Sequence, residues 1–295
     1  MESNAAPTNS VVETPDFSSV RTFILFVGYP RSGHSLIGSI MDAHPNIIIA
    51  HEYDVVGKLE SYMSDDGRER LYNDLFQDSK AMAFREGGRQ HNNYNYAVPG
   101  QWQGTYRDRL EIIGDKKGGT TAAILARKPE ELNRVRDLVK VPIKLIHVIR
   151  NPFDAMATHT KRKGDTSSDS EWFRKFMQSG LERHSLLTVI ANDDNHRFEA
   201  QTATVGALKQ RASEYPMFDL RSDEDMITDP QGTLKRLFDF LEVPHTDEFI
   251  ATCASIVYAK PHKSRHEFEW RDEEKKQIAD LIAKTEWFSG YSFDS

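Results

Sequence analysis

Short apolar runs alternate along this chain with longer stretches of helical period. The runs Thr22–Val27, Ile47–Ile49, Glu111–Ile113, Ile143–Ile149 and a weaker Met217–Leu220 predict strands. Helical spacing predicts helices over Ser35–Ala43, Val55–Met63, Arg68–Phe84, Thr120–Ala126, Pro129–Val139, Pro152–Arg162 and Glu171–Ala191. The C-terminal third reads as mostly helical, with Pro230–Leu241, Asp247–Ser255 and Arg271–Lys284. Continuously apolar strands separated by helices imply a parallel sheet covered on both faces, hence one α/β domain. Two polar stretches read as loops: Gly87–Gly104, and the Ser-rich Gly164–Ser170, which has the make-up of a mobile surface loop or lid.

The first strand runs into Gly28-Tyr29-Pro30-Arg31-Ser32-Gly33-His34-Ser35 and then into a helical pattern. A glycine loop between strand and helix turns backbone N–H groups and a helix N-terminus toward an anion. A phosphate-loop NTPase needs lysine where this chain has His34, and the cation comes earlier, at Arg31. The strand Ile143–Ile149 ends in Arg150, followed by Asn151 as N-cap and Pro152 at the first helical position. Ligands of open α/β sheets sit at that edge. A metal-dependent NTPase would have Asp or Glu there instead. The two departures favour a ligand with two separate anionic groups held without a metal, although Arg150 taken alone also suits a structural ion pair.

The bulk composition narrows the field. The chain has 295 residues, 28% charged and 38% hydrophobic, an ordinary globular make-up. Its net charge of −7 argues against a broad nucleic-acid or anionic-membrane footprint but allows one basic pocket. The one cysteine, Cys253, excludes an intrachain disulfide, and the expected location is the cytoplasm. Residues 1–19 are polar, lack the marks of a signal peptide or membrane anchor, and are expected to form a disordered tail before a domain at 20–295. No window reaches the roughly 20 apolar residues of a transmembrane helix.

These motifs together resemble the sulfotransferases that use 3′-phosphoadenylyl sulfate (PAPS). The stretch from Gly28 to Leu36 is similar to that family's 5′-phosphosulfate loop, and Arg150 with Thr158 to its 3′-phosphate pair. Glu224-Asp225-Met226, Asp229-Pro230 and the run Leu237–Pro244 resemble a further family segment, and Ser264, Arg265 and Trp270 its C-terminal pattern. The run Met41-Asp42-Ala43-His44-Pro45 followed by His51-Glu52 looks most like the tyrosylprotein and Golgi-type branches. The resemblance implies PAPS as co-substrate, adenosine 3′,5′-bisphosphate as product, no required metal, and a phosphate-loop NTPase-like fold. It implies cofactor contacts from Tyr29, Pro30, Arg31, Ser32, Gly33, His34, Ser35, Leu36, Arg150, Thr158, Ser264 and Arg265. It makes Glu52 the catalytic base, with His51 and then His34 as alternatives, and Lys116 the catalytic lysine beside Arg31, with Lys117 as alternative. Ser32 and Ser35 also suit helix capping, and Glu52 a surface carboxylate. Leu36 and Asp223 replace aromatic residues that meet adenine in many cytosolic members. The expected partner is a small-molecule acceptor, with a homodimer allowed, and the aromatic stretch Tyr94–Gly104 suits either its pocket or a core-packed hairpin. The competing reading is a phosphate-loop kinase or NTPase-like nucleotide-binding protein.

Overall fold

A computed structural model of the protein describes residues 14–86, 88–91, 94–161 and 197–295. Its centre is a five-stranded sheet formed by β1 (Thr22–Gly28), β2 (Ile47–His51), β5 (Ile112–Lys116), β6 (Ile143–Ile149) and β7 (Met217–Arg221). The strand order is β2-β5-β1-β6-β7 and every pairing is parallel. β1, β5 and β6 are buried along their whole length, although Asp115 and Lys116 interrupt the apolar run of β5 and Lys144 and His147 that of β6. All five strands lie where the hydrophobic pattern predicts them.

Apolar side chains fill both faces of the sheet. On one face Phe23, Leu25, Ile113 and Leu145 pack with Leu71, Tyr72, Leu75 and Phe76 of α2 (Gly67–Phe84). On the other, Ile24, Phe26 and Ile146 pack with Ile37, Ile40 and Met41 of α1 (His34–Asp42) and with Leu234, Leu237 and Phe238 of a C-terminal helix, Pro230–Leu241. Phe17 and Val20 are buried in the first cluster, and the Phe17 ring meets Tyr72 edge-on at 5.6 Å. Residues 1–13 of the expected tail, the loop Gly164–Ser170 and the helix Glu171–Ala191 lie outside the described residues.

Three elements differ from the hydrophobic pattern. The helix expected over Val55–Met63 is a set of turns ending in a short 3-10 segment, Leu59–Tyr62. Asp54 there has a left-handed backbone, φ 72°, and its carboxylate accepts from the Gly57 N–H at 3.3 Å, so a turn takes the place of the first helical residues. The expected loop Gly87–Gly104 contains a small hairpin of β3 (Gln90–His91) and β4 (Tyr94–Asn95). A helix at Arg197–Gln210 has no clear apolar stripe in its sequence; its threonines and Gly206 mask it, and it forms by docking, with Val205 and Leu208 buried.

Asp42, at the end of α1 opposite the glycine loop, ties together the edge of the sheet formed by β2. Its buried carboxylate accepts from the Ile49 and Gly104 N–H groups at 2.7 and 2.8 Å and from Ser79 Oγ at 2.7 Å, and pairs with the buried Arg89. One side chain thereby joins α1, β2, α2 and the hairpin loop. Removing it leaves a buried guanidinium uncompensated, at a cost of about 3–5 kcal/mol. We therefore expect Asp42→Ala to lose stability on that scale in urea unfolding, whereas a loss below about 1 kcal/mol would mean that Arg89 reaches water.

Candidate active site

The glycine loop is shaped by positions where no side chain fits. Gly28 has φ 120°, and a Cβ there would lie 3.0 Å from the His147 ring on the neighbouring strand. Gly33 caps α1 in the left-handed region, φ 98°. The first helical bonds run from Leu36 and Ile37 to the Gly33 carbonyl, so N–H groups ahead of them face outward at the helix N-terminus. Ser32 is buried, and its Oγ has no hydrogen-bond partner among the described residues. A buried unpaired hydroxyl costs on the order of 1–3 kcal/mol, and an anion oxygen in the loop would satisfy it.

Beside the loop, β5 delivers Lys116. Its side chain is only 2% exposed, and Nζ donates to Ser35 Oγ at 3.2 Å and to Glu52 Oε1 at 3.0 Å. Gly38 of α1 makes room for it, since a Cβ there would come within 2.9 Å of Lys116 Cγ. Burial lowers the Lys116 pKa, opposed by the charge and hydrogen bond of Glu52. Glu52 lies just past β2 with a left-handed backbone, φ 64°, and its other oxygen stands 3.5 Å from Lys117 Nζ. Partial burial would raise its carboxyl, but Lys116, Lys117 and His51 outweigh that and hold it at about 2. The backbone N–H of His51 donates to Asp78 at 2.6 Å. The structure thus brings Ser35, Glu52, Lys116 and Lys117 into one cluster at the glycine loop.

A second basic seat forms where β6 meets the helix α5 (Pro152–Lys161). Arg150 donates from one nitrogen to the Arg31 carbonyl at 3.0 Å and to Thr158 Oγ1 at 3.4 Å, and from the other to the His262 carbonyl at 2.6 Å. Thr158 Oγ1 lies 2.7 Å from Ser264 Oγ, which donates to the Asp154 carbonyl at 2.9 Å. Arg150, Thr158 and Ser264 therefore converge although far apart in sequence. Through the Arg31 carbonyl they are braced to the glycine loop.

Some expected contacts face elsewhere. Arg265 is buried and spends its donors on Asp154, the Phe293 carbonyl at 2.7 Å and the Ser295 backbone oxygen, so it fixes Ser264 in place. Tyr29 points inward, with its OH bonded to Thr202 and Trp287 at 3.1 and 3.2 Å. Leu36, on the first turn of α1, packs partly buried against the core. Pro30 rests against Gly119, where a Cβ would lie 2.9 Å from the ring. His34 is buried; desolvation pushes its pKa to about 3, and its neutral ring donates from Nε2 to the Val27 carbonyl at 3.2 Å. A ring held so far below neutrality is poorly suited to accept a proton. Asp223 accepts from the Asn151 N–H at 2.9 Å and from Tyr291. Tyr94 stacks on Tyr96 at 6.1 Å and meets Tyr258 edge-on at 5.7 Å in an exposed aromatic hairpin. Sequence reading missed Asp115, whose carboxylate accepts three backbone N–H groups of the segment after Glu52; its place beside Lys116 was the available signal.

A parallel α/β sheet with a lysine-free glycine loop and an arginine just after the neighbouring strand defines a phosphate-loop-like α/β fold. The sulfotransferase family matches over residues 24–247, and this chain belongs to it. Among curated proteins none matches. The chain is similar to the sulfotransferase domain of the Synechococcus PCC 7002 olefin synthase, with 14% identity, 96% of this chain and 98% of that one covered, and a TM-score of 0.49. It is also similar to mouse sulfotransferase SULT7A1 complexed with PAP, with 12% identity, coverage of 92% and 86%, and a TM-score of 0.47. A sulfotransferase from Alicyclobacillus acidocaldarius gives 15% identity, coverage of 90% and 92%, and a TM-score of 0.46. Among the described residues no helix is long and apolar enough to cross a membrane.

His34 gives this site a pH signature. Its folded pKa of about 3 lies below its ordinary 6.5, so the unfolded chain binds its proton first. The stability it supports is complete above pH 6.5 and is lost as pH falls from there toward 3. Glutamine keeps an N–H donor and cannot titrate. Between pH 7 and 4, His34→Gln should therefore lose less unfolding free energy than the unaltered protein; parallel losses in denaturant titrations would show that His34 is not buried neutral.

Proposed function

We propose that this protein transfers the sulfonate of PAPS to a hydroxyl or amine of a small-molecule acceptor, releasing adenosine 3′,5′-bisphosphate. The observation that carries the reading is Arg150, whose guanidinium reaches both the glycine-loop backbone and the Thr158–Ser264 pair. A ligand with a phosphate at each end of one nucleoside matches those two seats. ATP has no group for the second. The partnerless Ser32 hydroxyl inside the loop fits the same ligand.

When bound, PAPS supplies an activated sulfonate on a good leaving group. The chain's own residues do the rest. Loop N–H groups and Arg31 stabilise the charge that grows on the departing 5′-phosphate. Lys116, already at Ser35 Oγ, serves the bridging oxygen or the sulfonate as a compact cation. Glu52 accepts the acceptor's proton as the new bond to sulfur forms and the bridging S–O bond breaks. In the free protein Glu52 is a weak base because Lys116 pairs with it. An anion drawing on Lys116 loosens that pair and raises Glu52 toward a useful basicity. His51 remains the alternative base. The phosphate-loop NTPase reading is not favoured, because Arg150 follows β6 in place of an acidic residue and His34 is turned into the fold. The proposal places the catalytic domain at residues 20–295. The buried, lone Cys253 suits a cytoplasmic setting.

The ligand choice is tested by thermal melting. Adenosine 3′,5′-bisphosphate without metal should stabilise the protein, by roughly 2.7 kcal/mol at 100 times the dissociation constant. Arg150→Ala should abolish the effect, and an equal shift from Mg-ATP would overturn the reading. The base is tested by turnover with labelled PAPS against a panel of phenols, alcohols and amines. Glu52→Gln should slow transfer by about 10²–10⁴ with little change in bisphosphate affinity. Normal turnover by Glu52→Gln, with His51→Ala inactive, would move the base to His51.

A further inference from the structure

Two residues on the segment that carries Glu52 hold unfavourable backbones. Glu52 has φ 64° and Asp54 φ 72°, left-handed values that a side-chain-bearing residue adopts only against a steric cost. Neighbouring residues stay in such conformations only where something else fixes them. Asp115 is what fixes them. It is the penultimate residue of β5, flanked by Leu25 of β1 and Ala50 of β2 in register. Its carboxylate is fully buried and accepts from the N–H groups of Tyr53, Asp54 and Val55 at 3.0, 2.8 and 3.0 Å.

Successive strand side chains point to opposite sides, so β5 grips this segment twice. Asp115 holds its backbone, and Lys116 holds the Glu52 carboxylate at 3.0 Å. We propose that Asp115 is the positioning residue for Glu52: by clamping the N–H groups of residues 53–55 it keeps Glu52 in its left-handed turn, with the carboxylate directed at Lys116. Without the clamp the turn relaxes toward ordinary φ, the Cα–Cβ direction of Glu52 swings, and the carboxylate leaves the ammonium. The inference gives Asp115 a role in the reaction only through the reading of Glu52 as base. Its claim about geometry stands apart from that reading.

Crystal structures at pH 8 decide the geometry. Burial raises Asp115 to about 6, so at pH 8 its carboxylate is ionised and holds the three N–H groups. The unaltered protein should show Glu52 at φ near 64° with its carboxylate 3.0 Å from Lys116 Nζ. In Asp115→Asn the Glu52 φ should turn negative and the carboxylate should leave the ammonium. Adenosine 3′,5′-bisphosphate affinity, measured by calorimetry, should stay within about threefold, while turnover of PAPS falls at least about tenfold. Glycine takes φ 72° without strain, so adding Asp54→Gly should bring the Glu52 carboxylate part of the way back. If Asp115→Asn does not fold, Asp54→Gly/Asp115→Asn is the variant crystallised, and a displaced Glu52 is again the expected result. A Glu52 carboxylate still paired with Lys116 in whichever variant is read makes Asp115 a loop cap and overturns the proposal, with or without a loss of bisphosphate affinity. Normal turnover by Glu52→Gln removes the base reading and leaves these structures to judge the clamp.

Discussion

The buried ammonium of Lys116 constrains everything at the carboxyl edge of the sheet. An ammonium withdrawn from water needs a negative partner and hydrogen-bond acceptors. Here Glu52 and Ser35 provide them. Glu52 reaches that position only because the chain after β2 turns left-handed, and the turn holds because Asp115 binds the next three N–H groups. Room for the lysine stem comes from Gly38, so α1 packs against β5 with its N-terminus and the glycine loop beside the cation. One ion pair thereby sets the spacing of the glycine loop, Glu52 and the lysine.

A second constraint links the glycine loop to the cluster of Arg150, Thr158 and Ser264. Arg150 is anchored at the end of β6, and its bonds to the Arg31 and His262 carbonyls draw the glycine loop and the segment before Ser264 to one guanidinium. Behind it, the buried Asp154–Arg265 pair holds Ser264 against α5. Such a pair is costly to desolvate and contributes little net stability, but it fixes a position. The arrangement suits a site that measures the separation of two phosphates.

The C-terminal third closes over the N-terminal half by polar contacts as well as apolar ones. His44 accepts from the Asn46 N–H at 3.1 Å and binds the Pro244 carbonyl at 2.8 Å. Lys144 of β6 donates to the Phe240 carbonyl at 2.6 Å. The Asp-Ala-His-Pro motif, read in the sequence as a family mark, is therefore structural: Asp42 gathers the sheet edge and His44 binds the C-terminal helices.

The sequence by itself determined the parallel sheet, because buried parallel strands need apolar runs and four were clear enough to read, with Met217–Leu220 weaker. It also marked the glycine loop and Arg150, since glycine placement and a cation at a strand end are local signals, whereas Glu52 and Lys116 were singled out by the family resemblance. The helix at Arg197–Gln210 was hidden because its stability comes from docking and not from its own periodicity. The Val55–Met63 prediction failed because a single aspartate made a turn more favourable than the helix. Only the tertiary structure decided which way the loop side chains face. It turned His34, Tyr29 and Arg265 inward, left the Ser32 hydroxyl without a partner among the described residues, and placed Asp115 under the candidate base. Those outcomes depend on contacts between residues distant in sequence, and neither spacing nor residue type records which distant atom a side chain will meet.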